Sequence, residues 1–232
     1  MWQASRVSPD RTHHLVRSGE LYPYRYGEVL SFHEPGLAAA RLGITWFHIR
    51  PDGRPAYRAR FDRAFGFYEN LAAVESHGVC YHIDTSGRPA YGRRFDWCGN
   101  FQEGRAPVSF QSGRYAHILH NGRAAYRGTF RYAGDFREGA AVVMDIDGRA
   151  HHIDPAGEPI YEVRYRQLAP FHKGLAPARD DRGWFHIDRS GTPSYQSRFK
   201  SVEPFYNGRA LVMDGRGRMR LIDQSGHAVR TL

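Results

Sequence analysis

The chain has little lysine, little cysteine and no long apolar run. Of its 33 Lys and Arg side chains only Lys173 and Lys200 are lysine, and Cys80 and Cys98 are the only cysteines among 232 residues. No stretch approaches the roughly 20 apolar residues that a membrane helix needs, and the opening MWQASRVSPDRTHH has no signal-peptide core. The expectation is therefore a cytoplasmic protein with no membrane contact. Cys80 and Cys98 stand at no metal-ligand spacing and lack a second pair, so a zinc site is not expected. Both read as reduced thiols, Cys80 in a strand and Cys98 in a loop. A helical period is also missing, because no 3.6-residue apolar pattern persists for three turns.

What is present points to a folded protein. Hydrophobic residues make up 41% and aromatics 14%, too much for a disordered chain. The formal charge of +9 favours an acidic partner, nucleic acid included. The arginines, however, are spread over the whole chain and form no block, which argues against specific nucleic-acid recognition.

The segment Trp184–Tyr195, WFHIDRSGTPSY, recurs as HHLVRSGELY, WFHIRPDGRPAY, CYHIDTSGRPAY, YAHILHNGRAAY, HHIDPAGEPIY and RLIDQSGHAV. Its glycine falls at Gly19, Gly53, Gly87, Gly122, Gly157, Gly191 and Gly226, with gaps of 34 or 35. A second glycine keeps the same beat at Gly43, Gly78, Gly113, Gly148, Gly183 and Gly217. Two markers in phase over the whole length define about seven repeats, the first and last incomplete, in a single β-repeat domain over residues 1–232.

Each repeat divides into three short strands. The first follows F-x-x-G (Phe101–Val108, Phe136–Val143, Phe171–Ala178, Phe205–Val212), with Asn70 in the glycine place of FYENLAAV. Asparagine, like glycine, tolerates left-handed backbone, so that place reads as a conformational requirement. The second strand is x-F-H-I-D and the third is P-x-Y. Connections such as ESHG, FQSG, DIDG, DDRG and DGRG join the first two. DTSG, DPAG, DRSG and DQSG join the last two as type I turns closing into a bulge. Asp84, Asp154, Asp188 and Asp223 are accordingly turn-formers and not catalytic acids. Pro107 and Pro177 sit in the first strand, which predicts that it lies at a sheet edge.

Such meanders cannot bury enough surface alone, so neighbours must stack. The all-β reading is a seven-bladed β-propeller of small 34–35-residue blades, Met1–Val7 supplying a strand to close it, with an open, curved β-solenoid as the alternative.

The combination F-x-x-G-L-A, G-x-[WY]-x-H-I-D, G-x-P-x-Y resembles the bacterial WG (KWG) repeat family, from Thr12 to Val229. The family's Trp-Gly is absent here, since Gly183–Trp184 has the reverse order, and F-H-I-D replaces G-Y-I-D. The chain is similar to a divergent, histidine-bearing branch. That resemblance implies a β-repeat binding module without catalytic residues to carry over. It also resembles repeat regions preceding a methyltransferase domain in some bacterial proteins. A G-x-G nucleotide motif after a strand is lacking, so the partner enzyme would be a separate domain or chain.

His14, His48, His82, His117, His152 and His186 occupy one repeat position. A set of imidazoles suits metal binding or proton transfer in a central pocket, which is the enzyme or small-ligand alternative. The seventh copy has Leu221 there, which favours buried, hydrogen-bonded histidines; no metal, cofactor or catalytic residue is assigned. Binding residues on repeat scaffolds are sought where the repeat varies. The residue after the opening phenylalanine is Tyr68, Gln102, Arg137, His172 or Tyr206, and Trp97 stands alone in DWCGNF. With Arg94, Arg131 and Lys173 these residues are expected to line one basic, aromatic-bearing mouth for a protein or peptide partner. Glu69, Glu103 and Glu138 read as solvated loop residues.

Overall fold

The computed structural model describes residues 2–110 and 112–231. Gln111 of the FQSG connection and Met1 of the expected N-terminal strand lie outside them. After a 3-10 turn at Trp2–Ala4, every regular element among the described residues is a β-strand. They form seven antiparallel sheets, each from consecutive strands. Sheet 1 is β1 (Arg6–Val7), β2 (His14–Val16) and β3 (Gly19–Glu20); sheet 2 is β4 (Glu28–Val29), β5 (Ala38–Leu42) and β6 (Thr45–Ile49). Sheet 3 is β7 (Arg63–Tyr68), β8 (Leu71–Ser76) and β9 (Val79–Ile83). Sheet 4 is β10 (Trp97–Cys98), β11 (Arg105–Phe110) and β12 (Arg114–Leu119); sheet 5 is β13 (Tyr132–Arg137), β14 (Ala140–Met144) and β15 (Ala150–Ile153). Sheet 6 is β16 (Gln167–Leu168), β17 (Ala176–Arg179) and β18 (Trp184–Ile187). Sheet 7 adds a fourth strand: β19 (Ser201–Val202), β20 (Arg209–Met213), β21 (Met219–Asp223) and β22 (Ala228–Thr231). Two compact units contain them, one of residues 1–113 and 117–124, the other of 114–116 and 125–232.

The meander register agrees with the repeat pattern, but the strand carrying Pro107 and Pro177 is central, not an edge. Residues ahead of the opening phenylalanine pair with it on one side, as in Trp97↔Ser109 and Cys98↔Val108. Trp97 and Cys98 thus lie in a strand and not in a loop. The P-x-Y piece contributes mostly single bridges, such as Ile83↔Pro89 and Ile187↔Pro193. Proline is tolerated centrally because of how the backbone partners are shared. Gly99 N–H donates to the Pro107 carbonyl at 2.8 Å, while the Gly99 carbonyl accepts from His82 Nε2 of the preceding repeat at 2.8 Å. Ala169 does the same with Pro177 (2.9 Å) and His152 (3.1 Å). The donor that proline lacks is supplied by a histidine.

The alternation in the second strand buries both faces, as expected for a sheet packed on two sides. In β6, Phe47 and Ile49 on one face and His48 on the other are all buried. Opposite the isoleucines stand small residues: Ala38↔Ile49, Ala72↔Ile83, Ala141↔Ile153, Ala176↔Ile187 and Ala210↔Ile222. Each alanine is buried, so a larger side chain there would overpack the sheet.

Candidate functional site

The repeat histidines are structural staples. His82 Nδ1 accepts from the Tyr91 hydroxyl of its own repeat, and Nε2 donates to the Gly99 carbonyl of the next sheet. His186 repeats this with Tyr195 and Glu203, His152 with Tyr161 and Ala169, His48 with Tyr57 and Phe65, and His14 with Tyr22 and Leu30. A carbonyl only accepts, so Nε2 must carry the proton and Nδ1 must be the acceptor. The rings are fully buried. Burial lowers the pKa of His48, His82, His152 and His186 to about 4, so they are neutral at pH 7. Both nitrogens of these rings are committed, which leaves nothing for a metal or a substrate proton. Leu221 fits the same logic: its nine-residue partner position holds Arg230 instead of tyrosine, so histidine there would have no hydroxyl to accept from.

The tyrosine does a second task that the sequence did not disclose. A Cβ on Gly122 would lie 2.5 Å from Tyr91 Cγ, and one on Gly191 2.6 Å from Tyr161 Cγ. The turn glycine is therefore needed for close approach to the ring of the previous repeat as well as for its positive φ. The aspartates form turns as expected. Asp84 Oδ1 accepts from the N–H groups of Ser86 (2.8 Å) and Arg88 (3.0 Å), and Asp188 Oδ1 from those of Ser190 and Thr192.

The variable residues divide into two groups. Tyr68, Gln102, Arg137, His172 and Tyr206 each precede a two-residue hairpin tip whose residues both have positive φ: Glu69–Asn70, Glu103–Gly104, Glu138–Gly139, Lys173–Gly174 and Asn207–Gly208. This is the type I′ geometry that matches strand twist, and it explains Asn70 in the glycine place. Along the second unit Arg137 contacts His172 Nδ1 at 2.8 Å, and the His172 and Tyr206 rings lie 4.7 Å apart. In the first unit His33 packs on Tyr68 at 4.6 Å.

Glu69 and Glu138 are not merely solvated. Glu138 accepts from the N–H groups of Lys173 (2.7 Å) and Gly174 (2.9 Å), hooking its tip to the next one. Glu69 accepts from Gly104 N–H at 3.0 Å and contacts His120 at 2.8 Å. A glutamate one residue before a left-handed Asn70 or Gly139 is the sequence signal for these hooks.

Arg94, Trp97 and Arg131 belong elsewhere. Trp97 pairs with Ser109 while Gln102 pairs with Arg105, four residues along β11, or about 13 Å. Arg131 N–H bonds the Met144 carbonyl at the corresponding end of sheet 5, whereas Arg137 pairs with Ala140 at the other. The nine predicted residues therefore do not form one mouth. Arg94 is occupied by the fold: its guanidinium lies 3.9 Å from the Tyr81 ring centre and donates to the carbonyls of Tyr91 and Arg93. Arg60 and Arg198 repeat that arrangement over Phe47 and Phe185, so the R-F step is a structural cap.

Comparison with known proteins agrees with this geometry. No curated protein sequence matches the chain. Among solved structures, the computationally designed Ika8 protein superposes with a TM-score of 0.57 at 12% identity, over 98% of this chain and 83% of that one. BamB from Moraxella catarrhalis gives 0.57 at 10% identity over 98% and 84%, and Hsv2 from Kluyveromyces lactis 0.53 at 8% over 85% and 80%. These likenesses show a β-propeller fold. The WG containing repeat matches residues 46–80, 83–115, 153–184 and 184–215, more than half of the chain, which therefore belongs to the WG repeat family.

Proposed function

We propose that the chain is a non-enzymatic binding module that presents its type I′ hairpin tips to a protein or peptide partner. One observation carries this reading. The residue preceding each tip changes from repeat to repeat, while the positions that recur around it are taken up by staples, hooks and caps. In the second unit Arg137, His172 and Tyr206 make a basic, aromatic strip beside Lys173, and Tyr206 is 59% exposed. Exposed tyrosine and arginine on a rigid backbone are the residue types that anchor protein interfaces. The hooks of Glu138 on Lys173 and Gly174 supply that rigidity.

Trp97, 42% exposed at the other end of sheet 4 from Gln102, is remote from the tips and serves as the control. An enzyme bound to the strip, such as a methyltransferase, is one form such a partner would take. The alternative with acid–base histidines has the buried, doubly bonded rings against it.

The test is affinity capture from the native host's lysate with the wild-type chain, Trp97→Ala, and the triple variant Arg137→Ala/His172→Ala/Tyr206→Ala. A stoichiometric protein retained by the first two and lost with the triple variant is expected. Retention by a folded triple variant would refute the strip as the binding surface.

A further inference from the structure

At the opposite end of sheet 6 from the hairpin tips, the second unit has a cleft of about 280 Å³ lined by Arg179, Arg182, Trp184, Arg198, Lys200 and Gly215, among others. Its one lining acid, Asp181, and the neighbouring Asp180 are both already engaged. Asp180 is held by Arg198 Nε at 2.8 Å, and Asp181 by Arg166. Among the described residues no carboxylate lies within ion-pair distance of Arg179, Arg182 or Lys200, all three of which are exposed. Arg179 reaches only the neutral amide of Gln167, at 2.9 Å.

The repeat supplies its own comparison. The residue after the R-F step donates its N–H to the first strand's last residues in each sheet: Asp62 to the Glu75 carbonyl, Arg166 to the Arg179 carbonyl, Lys200 to the Met213 carbonyl. In the first unit the corresponding cleft, about 360 Å³, is lined by Asp62, Glu75 and Asp96. Their counterparts in the second unit are Arg166, Arg179 and Lys200, a reversal of sign at all three positions; Arg179 and Lys200 line the sheet 6 cleft, while Arg166 pairs with Asp181. The fold thus accepts either sign there, so backbone geometry does not dictate the cations. Gathering Arg179, Arg182 and Lys200 around one cleft with no carboxylate paired to them costs stability and is not explained by packing.

We infer that the sheet 6 cleft binds a multivalent oxyanion, the diphosphate or polycarboxylate group of a small molecule. Arginine forks and a lysine ammonium match phosphate and carboxylate oxygens, and Trp184 and Phe199, bridged through their backbones, add apolar lining to the same cleft. Gly183 fits this floor, because a Cβ there would lie 2.7 Å from the Phe199 carbonyl oxygen. This site is independent of the hairpin-tip surface, and either can fail without the other.

The experiment is isothermal titration calorimetry of the full chain with inorganic pyrophosphate and, separately, with citrate, each against sodium chloride of equal ionic strength. Two variants leave the fold alone: Lys200→Ala removes an exposed side chain. Gly215→Glu fills open space at a position with no left-handed backbone and no atom within 4 Å of its Cβ. Saturable one-to-one binding of pyrophosphate or citrate is expected, weakened about tenfold or more by Lys200→Ala and abolished by Gly215→Glu. Pyrophosphate binding alone identifies a phosphate ligand, and citrate binding alone a carboxylate one. No heat beyond the chloride control, or equal affinity in wild type and both variants, overturns the inference.

Discussion

Replacing Gly87 by alanine probes the contact between repeats most sharply, because Gly78 in the same sheet is a matched control. The two glycines have nearly the same left-handed backbone, φ +80° and +76°. A Cβ on Gly78 would meet nothing within 4 Å, whereas one on Gly87 would lie 2.6 Å from both Cγ and Cδ2 of Tyr57. Ordinary contact needs about 1 Å more. Tyr57 cannot swing aside without releasing its hydrogen bond to the buried His48. Gly78→Ala should cost only the left-handed strain, about 1 kcal/mol. Gly87→Ala adds an overpacking penalty of about 1–3 kcal/mol. In a chain of this size each kcal/mol lowers Tm by about 2–4 °C, so the two variants should separate by several degrees in thermal melts followed by circular dichroism. In a Tyr57→Ala background the two substitutions should cost the same. Equal melting of Gly78→Ala and Gly87→Ala in the wild-type background would refute this packing of Gly87 on Tyr57.

The buried histidines make the fold acid-sensitive. Their folded pKa of about 4 lies below the unfolded 6.5, so the unfolded chain binds protons first; their stabilisation is complete above pH 6.5 and is lost as the pH falls from 6.5 through 4. At pH 5 each of the four costs about 2 kcal/mol, together comparable with the whole stability of a typical domain. Urea midpoints should therefore fall steeply between pH 7 and pH 5, and an unchanged midpoint would contradict the burial. His82→Leu leaves the Tyr91 hydroxyl and the Gly99 carbonyl without their partner and should cost about 2–4 kcal/mol, read as a lower urea midpoint. A wild-type midpoint in that variant would show that the staple contributes nothing.

How far the fold is legible in the sequence depends on whether a feature is local. The in-phase glycines, the I-D-x-x-G turns and the two-faced second strand are set by neighbouring residues, and the structure has them where the spacing puts them. Pro107 and Pro177 misled, because the donor that replaces their missing N–H comes from His82 and His152, one repeat away and on another sheet. The same distance hid the Tyr91–Gly122 approach and the Glu138 hook. Arg94 carried a signal that its own repetition at Arg60 and Arg198 marks as structural. The charge reversal from Asp62, Glu75 and Asp96 to Arg166, Arg179 and Lys200 becomes visible only when the repeats are aligned on the backbone.

The central claim is that the repeat histidines hold the sheets together as neutral Nε2–H rings and take no part in chemistry. Long-range 15N–1H spectra of histidine-labelled protein, recorded from pH 7 down to pH 5.5, test it directly. The neutral Nε2–H pattern is expected for His48, His82, His152 and His186, unchanged over that range. Titration of these rings near pH 6.5, or a proton on Nδ1, would contradict it.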